Sequence, residues 1–169
     1  MNPPIRSLTA IRIVLTAILA VTLYLYLADD QSLLIPLISS LIIIILAYFQ
    51  DHAGKDEESK LDEILDFALS TIPVLIMLAF DKVIIAYLAL MVLQAFINIT
   101  LEKRSFNYNE IYQLGRLIYV ALPAMMLILD GPIWDEFGLL IQLIGCGLSI
   151  ISLFLRIRAE RGMAKRFDM

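Results

Sequence analysis

Cysteine and histidine are almost missing from this chain, which removes several kinds of chemistry at once. Cys146 is the single cysteine and lies inside an apolar run, so neither a disulfide framework nor a thiolate zinc site can be built. His52 is the single histidine. It reads as a loop residue and not a general base, and no Ser/His/Asp relay or glycine-rich phosphate loop accompanies it. Charge is also scarce, at 18% of residues with a net charge of −4, which argues against a nucleic-acid partner. No alternating ten-residue pattern of a membrane barrel is present. No repeat recurs at a fixed period beyond hairpins. Pro36, Pro73 and Pro123 are scattered, without the paired broken helices that mark a transporter's midplane site.

What fills the chain is apolar. Of its 169 residues, 60% are hydrophobic and the mean hydropathy is +0.84. Six stretches reach or approach the roughly 17–25 apolar residues that span a bilayer as a helix: 9–28, 33–49, 64–80, 83–101, 111–129 and 136–156. Backbone groups in hydrocarbon must pair internally, so all six are expected to be α-helical. The apolar run from Ile11 to Ala28 ends in Asp29-Asp30 without a small-x-small cleavage site, and it is expected to stay as a helix. One domain, 1–169, uses nearly all of the length and leaves no room for a separate soluble enzyme.

The links alternate in character. Links one, three and five are short and acidic: Ala28-Asp29-Asp30-Gln31-Ser32, Asp81-Lys82, and Asp130 to Asp135. Links two and four are longer and carry basic residues, as do the two ends of the sequence. Of the thirteen Lys and Arg, only Lys82 falls among the short links. The positive-inside rule then predicts an all-α, multi-pass bundle of the cell membrane with six transmembrane helices and cytoplasmic N- and C-termini. Trp134 and Tyr26 are expected at the outer interface. Gly138, Gly145, Ser149 and Ser152 form a small-residue stripe that should face another helix of the chain, or, as the less favoured alternative, a second copy in a homodimer.

The densest polar stretch is Gln50 to Asp66, QDHAGKDEESKLDEILD. If the third helix begins near Lys60, Asp62 and Asp66 share one face, with Ser59 and Ser70 a turn away on either side. Asp56, Glu57, Glu58 and Asp62 read most simply as a solvated helix entrance complementing the dipole. Asp66, followed by an apolar run to Phe80, is expected below the headgroups, where an ionised group costs about 3 kcal/mol or more unless paired or hydrated. Paired with Asp62 it suits a hard cation, Mg²⁺ or Mn²⁺.

Together these residues resemble the CDP-alcohol phosphotransferase family. The family's long motif reads D-x-x-D-G-x-x-A-R, a spacer, then G-x-x-x-D-x-x-x-D, and Leu61-Asp62-Glu63-Ile64-Leu65-Asp66 is similar to its second half. At the N-terminal end, Arg6-Ser7-Leu8-Thr9-Ala10-Ile11-Arg12 resembles the family's N-x-L-T-x-x-R. Gly115-Arg116 stands where many members begin G-K-x-K-T. Where the first half of the long motif belongs, the chain reads Tyr48-Phe49-Gln50-Asp51-His52-Ala53-Gly54-Lys55, so Asp51 stands for the second aspartate and Tyr48 for the first. The resemblance implies transfer of a phosphatidyl-type group from a CDP-lipid to a small alcohol, as in phospholipid synthesis. It implies Asp51, Asp62 and Asp66 as ligands of Mg²⁺ or Mn²⁺, Asp66 also as base, and membrane lipids as partners. Arg12, Lys60, Lys103, Arg104 and Arg116 would contact substrate phosphate. The alternative is a family-like bundle that has lost catalysis and binds a lipid or a protein partner.

Overall fold

The computed structural model describes the backbone of residues 3–29, 31–53, 60–100, 106–129 and 131–167, and side chains over 9–29, 31–49, 64–65, 67–97, 111, 114–129 and 131–158. Among the described residues six helices follow in order: α1 (Pro3–Asp29), α2 (Leu34–Ala53), α3 (Lys60–Ala79), α4 (Ile85–Thr100), α5 (Phe106–Leu129) and α6 (Pro132–Phe167). No strand occurs among the described residues. Several helices run past the expected apolar stretches at their polar ends, because polar residues continue a helix as readily as apolar ones once it has nucleated.

Contacts between helices define two layers of three. α1, α3 and α4 pack side by side in one layer, and α2, α5 and α6 in the other. Across the layers α1 meets α2, α3 meets α5, and α4 meets α6. Both central helices, α3 and α5, carry an internal proline, Pro73 and Pro123. Each stays helical through it, as neighbours in a membrane-type bundle permit. Successive helices reverse direction, so the short links lie at one end of the bundle and the long links and chain ends at the other, here called the long-link end.

The outside is apolar and the inside is mixed. Val21, Ile85, Phe96, Ile128 and Phe154 are each at least 60% exposed, while Arg12, Thr16, Gln94, Gln142, Ser149, Ser152 and Arg156 are buried. A water-soluble bundle would reverse this arrangement. Two helices, Thr9–Asp29 and Pro132–Arg158, are long and apolar enough to cross a membrane, which supports a membrane location.

Two of the short links close by different chemistry. After α3, Asp81 takes φ 57°, its N–H bonds to Leu78 O at 3.1 Å, and Lys82 N–H bonds to Met77 O at 2.9 Å. This paired capping satisfies the last carbonyls of α3 through a left-handed residue that is normally glycine. After α5, Gly131 takes the left-handed conformation at φ 62°, and Pro132 opens α6, whose first turn needs no proline N–H.

Candidate functional site

α4 and α6 run parallel in constant register. Ile84 pairs with Gln142, Met91 with Ser149, and Gln94 with Ser152, each separated by 58 residues. Tyr87 falls on Gly145 in the same register, and a Cβ on Gly145 would lie 2.5 Å from the Tyr87 ring. Gly138 cradles Trp134 of its own helix at a similar distance. The small-residue stripe therefore faces α4 within the chain. Small side chains here let the two backbones approach closely.

The start of this seam fixes the α3–α4 turn. Gln142 is 3% exposed. Its Nε2 donates to Lys82 O at 3.2 Å, and its Oε1 accepts from Ile84 N–H at 2.7 Å. Trp134 Nε1 also donates to Lys82 O, at 3.2 Å, and Lys82 Nζ reaches Asp135 at 3.3 Å. A cavity of about 150 Å³ lies over this turn, lined in part by Asp81, Lys82, Trp134 and Leu139. Trp134 and Tyr26 lie toward the short-link end, with both rings turned into the bundle, where their polar atoms and faces find partners.

Mid-bundle, an aromatic group joins three helices. Tyr119 of α5 stacks on Phe67 of α3 with ring centroids 6.2 Å apart, and Tyr87 of α4 meets Tyr119 edge-on at 5.8 Å. Tyr119 Oη donates to Thr71 Oγ1 at 3.1 Å, and Thr71 passes its own proton to Phe67 O at 2.8 Å. Tyr87 Oη is buried without a hydrogen-bond partner among the described residues.

Toward the long-link end the described interior includes arginines. Arg12 of α1 is 1% exposed and Arg156 of α6 is 2% exposed. Arg116 of α5 is half-buried. All three are engaged by neighbouring groups. On α1 the buried stripe reads Thr9, Arg12, Thr16, Leu19, Leu23, Tyr26, polar in its first half and apolar in its second. On α6, Arg156 continues the buried row of Gly145, Ser149 and Ser152 one turn further. Sequence reasoning passed over Arg156 as one of a basic tail, although its four-residue spacing from Ser152 already placed it on the inward stripe.

The expected ligands fall as follows. α3 begins at Lys60, so Asp62 and Asp66 sit one turn apart on one helix at the long-link end, with buried Ser70 a turn beyond. Asp51 lies in the last turn of α2. The side chains of Asp51, Lys60, Asp62 and Asp66 are outside the described residues, as are Lys103 and Arg104 altogether. Tyr48, where the family motif has its first aspartate, is 51% exposed and meets Phe49 edge-on. Among the described residues no three His, Cys, Asp or Glu side chains gather around one point. Comparison of the chain with protein-family models, with curated proteins and with solved structures gave no match.

Proposed function

We propose that this chain is a six-span protein of the cell membrane, with its long-link end and both termini in the cytoplasm, that binds a phosphate-bearing lipid at that end. The observation that carries the reading is the burial of Arg12 and Arg156, the two buried charged side chains among the described residues, at one end of a bundle whose outside is apolar. An arginine at membrane depth is expensive and marks a pathway or a ligand site. Guanidinium groups match the oxygens of a phosphate in a fork. Thr9, Thr16 and Ser70 add buried hydroxyls in the same half of the bundle.

A direct test follows. Phosphatidic acid or CDP-diacylglycerol added to the detergent-purified protein should raise its melting temperature, and diacylglycerol should not. The increment should shrink in Arg12→Lys and Arg156→Lys, which keep charge and lose the fork. Equal stabilisation by diacylglycerol would refute phosphate recognition.

A second reading adds transfer chemistry, and the helical backbone of Lys60–Ala79 favours it, since Asp62 and Asp66 then recur on one helical face as the CDP-alcohol phosphotransferase motif requires. Asp51, Asp62 and Asp66 offer hard oxygen donors that suit Mg²⁺ or Mn²⁺. With an exposed tyrosine at position 48 the set fits one ion better than two. Such an ion, when bound, would offset diphosphate charge. Asp66 would accept the proton of the incoming alcohol, and Lys60, Lys103, Arg104 and Arg116 would hold phosphate. Alcohol-dependent release of CMP from a CDP-lipid, with glycerol 3-phosphate, inositol phosphate and serine as acceptors, distinguishes the readings. Asp66→Asn should abolish it, since the general base alone is worth about 10²–10⁴-fold. If no acceptor yields CMP, the binding function stands without catalysis.

A further inference from the structure

α6 is longer than the bundle around it. It runs unbroken for 36 residues, about 54 Å at 1.5 Å per residue, whereas a hydrocarbon core is about 30 Å thick. The 58-residue offset aligns Thr100, the last described residue of α4, with Arg158 of α6. Residues 159–167 therefore continue α6 about 13 Å past the level of Thr100. Arg158 is exposed, and Arg161, Lys165 and Arg166 follow it, with Glu160 the one acidic residue up to Phe167. Arg158, Arg161 and Lys165 recur at spacings of three and four, so they share one side of the helix.

Two anionic surfaces could face this extension: lipid headgroups, or the chain's own acidic link at Asp56, Glu57 and Glu58. The fold favours lipid. α6 sits at a corner of the two-layer array, packed on α4 and α5, while the acidic link joins α2 to α3, with α5 between α2 and α6. The last membrane turns of α6 are open outward, with Ile150, Ile151, Phe154 and Ile157 each about half exposed or more, and Arg158 continues that open side.

We propose that the basic extension of α6 gathers anionic phospholipid headgroups from the leaflet it leaves. This rests on the membrane reading above and concerns the perimeter of the bundle, not its buried arginines. Each Lys or Arg held within a Debye length of an anionic surface contributes about a fivefold preference, so a cluster of this size selects lipid strongly.

The full chain is placed in phosphatidylcholine bilayers with a fluorophore on Met163→Cys, native Cys146 being buried. Quenching by headgroup-labelled phosphatidylglycerol is compared with quenching by headgroup-labelled phosphatidylcholine. The anionic lipid should quench at least about fivefold more effectively. The ratio should fall toward one in 0.5 M salt and in the triple variant Arg161→Gln, Lys165→Gln, Arg166→Gln. A ratio near one at low salt, or one unchanged in the triple variant, overturns the proposal. So does a ratio that rises only after Asp56→Asn, Glu57→Gln and Glu58→Gln, because the link would then be the partner. A chain stripped from the bilayer by alkaline carbonate refutes the membrane reading and this proposal together; a chain that resists stripping but shows no lipid preference refutes this proposal alone.

Discussion

Replacing Gly145 by alanine adds one methyl group where the bundle has no space for it. The new Cβ would lie 2.5 Å from Tyr87 Cε2 and 2.8 Å from both Cζ and Oη. Tyr87 has little freedom to move, being 0% exposed with its ring edge-on to Tyr119. Two effects oppose each other. Helix propensity favours alanine over glycine by about 1 kcal/mol, while overpacking a filled interior costs about 1–3 kcal/mol. The clash is with the body of a rigid ring, so the upper part of that range applies and the net loss is about 1–2 kcal/mol. Gly147 supplies the control, because nothing lies within 4 Å of a Cβ placed there. Only the propensity gain remains, and Gly147→Ala should stabilise by up to about 1 kcal/mol. Thermal unfolding of both variants in the same mild detergent reads the difference in sign. Adding Tyr87→Phe to Gly145→Ala should restore part of the loss, since one of the three short contacts is to the phenol oxygen. If Gly145→Ala melts at or above the wild type, α4 and α6 do not meet in this register.

Gln142→Leu leaves the Ile84 N–H without its acceptor and should cost about 1–3 kcal/mol, seen as faster amide exchange at Ile84 while Lys82 O keeps its bond from Trp134. Asp81→Gly should leave stability unchanged or slightly raised, whereas Asp81→Val, forced to positive φ, should lose about 1–2 kcal/mol; their melting temperatures should bracket the wild type or place it level with the glycine variant. Tyr119→Phe removes the bond to Thr71 but keeps the stacking on Phe67, and should cost about 1 kcal/mol by the same unfolding assay. Equal melting of Tyr119→Phe and wild type would mean that this hydroxyl exchanges freely with another partner.

Helix number and order were legible because long apolar runs broken by charge have few physical alternatives in a chain this hydrophobic. The inward face of α6 was legible too, since glycine and serine at spacings of four and three mark a close contact, and Ser149 and Ser152 do meet Met91 and Gln94. What the pattern could not supply was the partner: the same stripe would serve a second copy, and only the 58-residue register assigns it to α4. Gln142 escaped notice because one amide in an apolar run carries no signal until the turn it pins is placed beside it. The inward orientation of Trp134 was hidden for a related reason. An aromatic near a membrane boundary can face lipid or protein, and the acceptor that decides, Lys82 O, is 52 residues away. Arg12 was already singled out as a phosphate contact, whereas Arg156 was counted only for its side of the membrane, which conceals that it lies on an inward stripe. The acidic set is legible as spacing on α3, but its reach toward Asp51 depends on a tertiary arrangement that spacing does not encode.

Everything functional depends on which side of the membrane the buried arginines approach, and cysteine labelling reads this directly. With Cys146 buried, single cysteines at Ser32, in the first short link, and at Ser105, in the fourth link, should react with an impermeant thiol reagent from opposite sides of intact cells and inverted vesicles. Ser105→Cys should label only from the cytoplasm, together with a label at either chain end, because twelve of the thirteen basic residues sort to that side. Reaction of both positions from the same side would contradict the proposed six-span arrangement and remove the proposed cytoplasmic phosphate site with it.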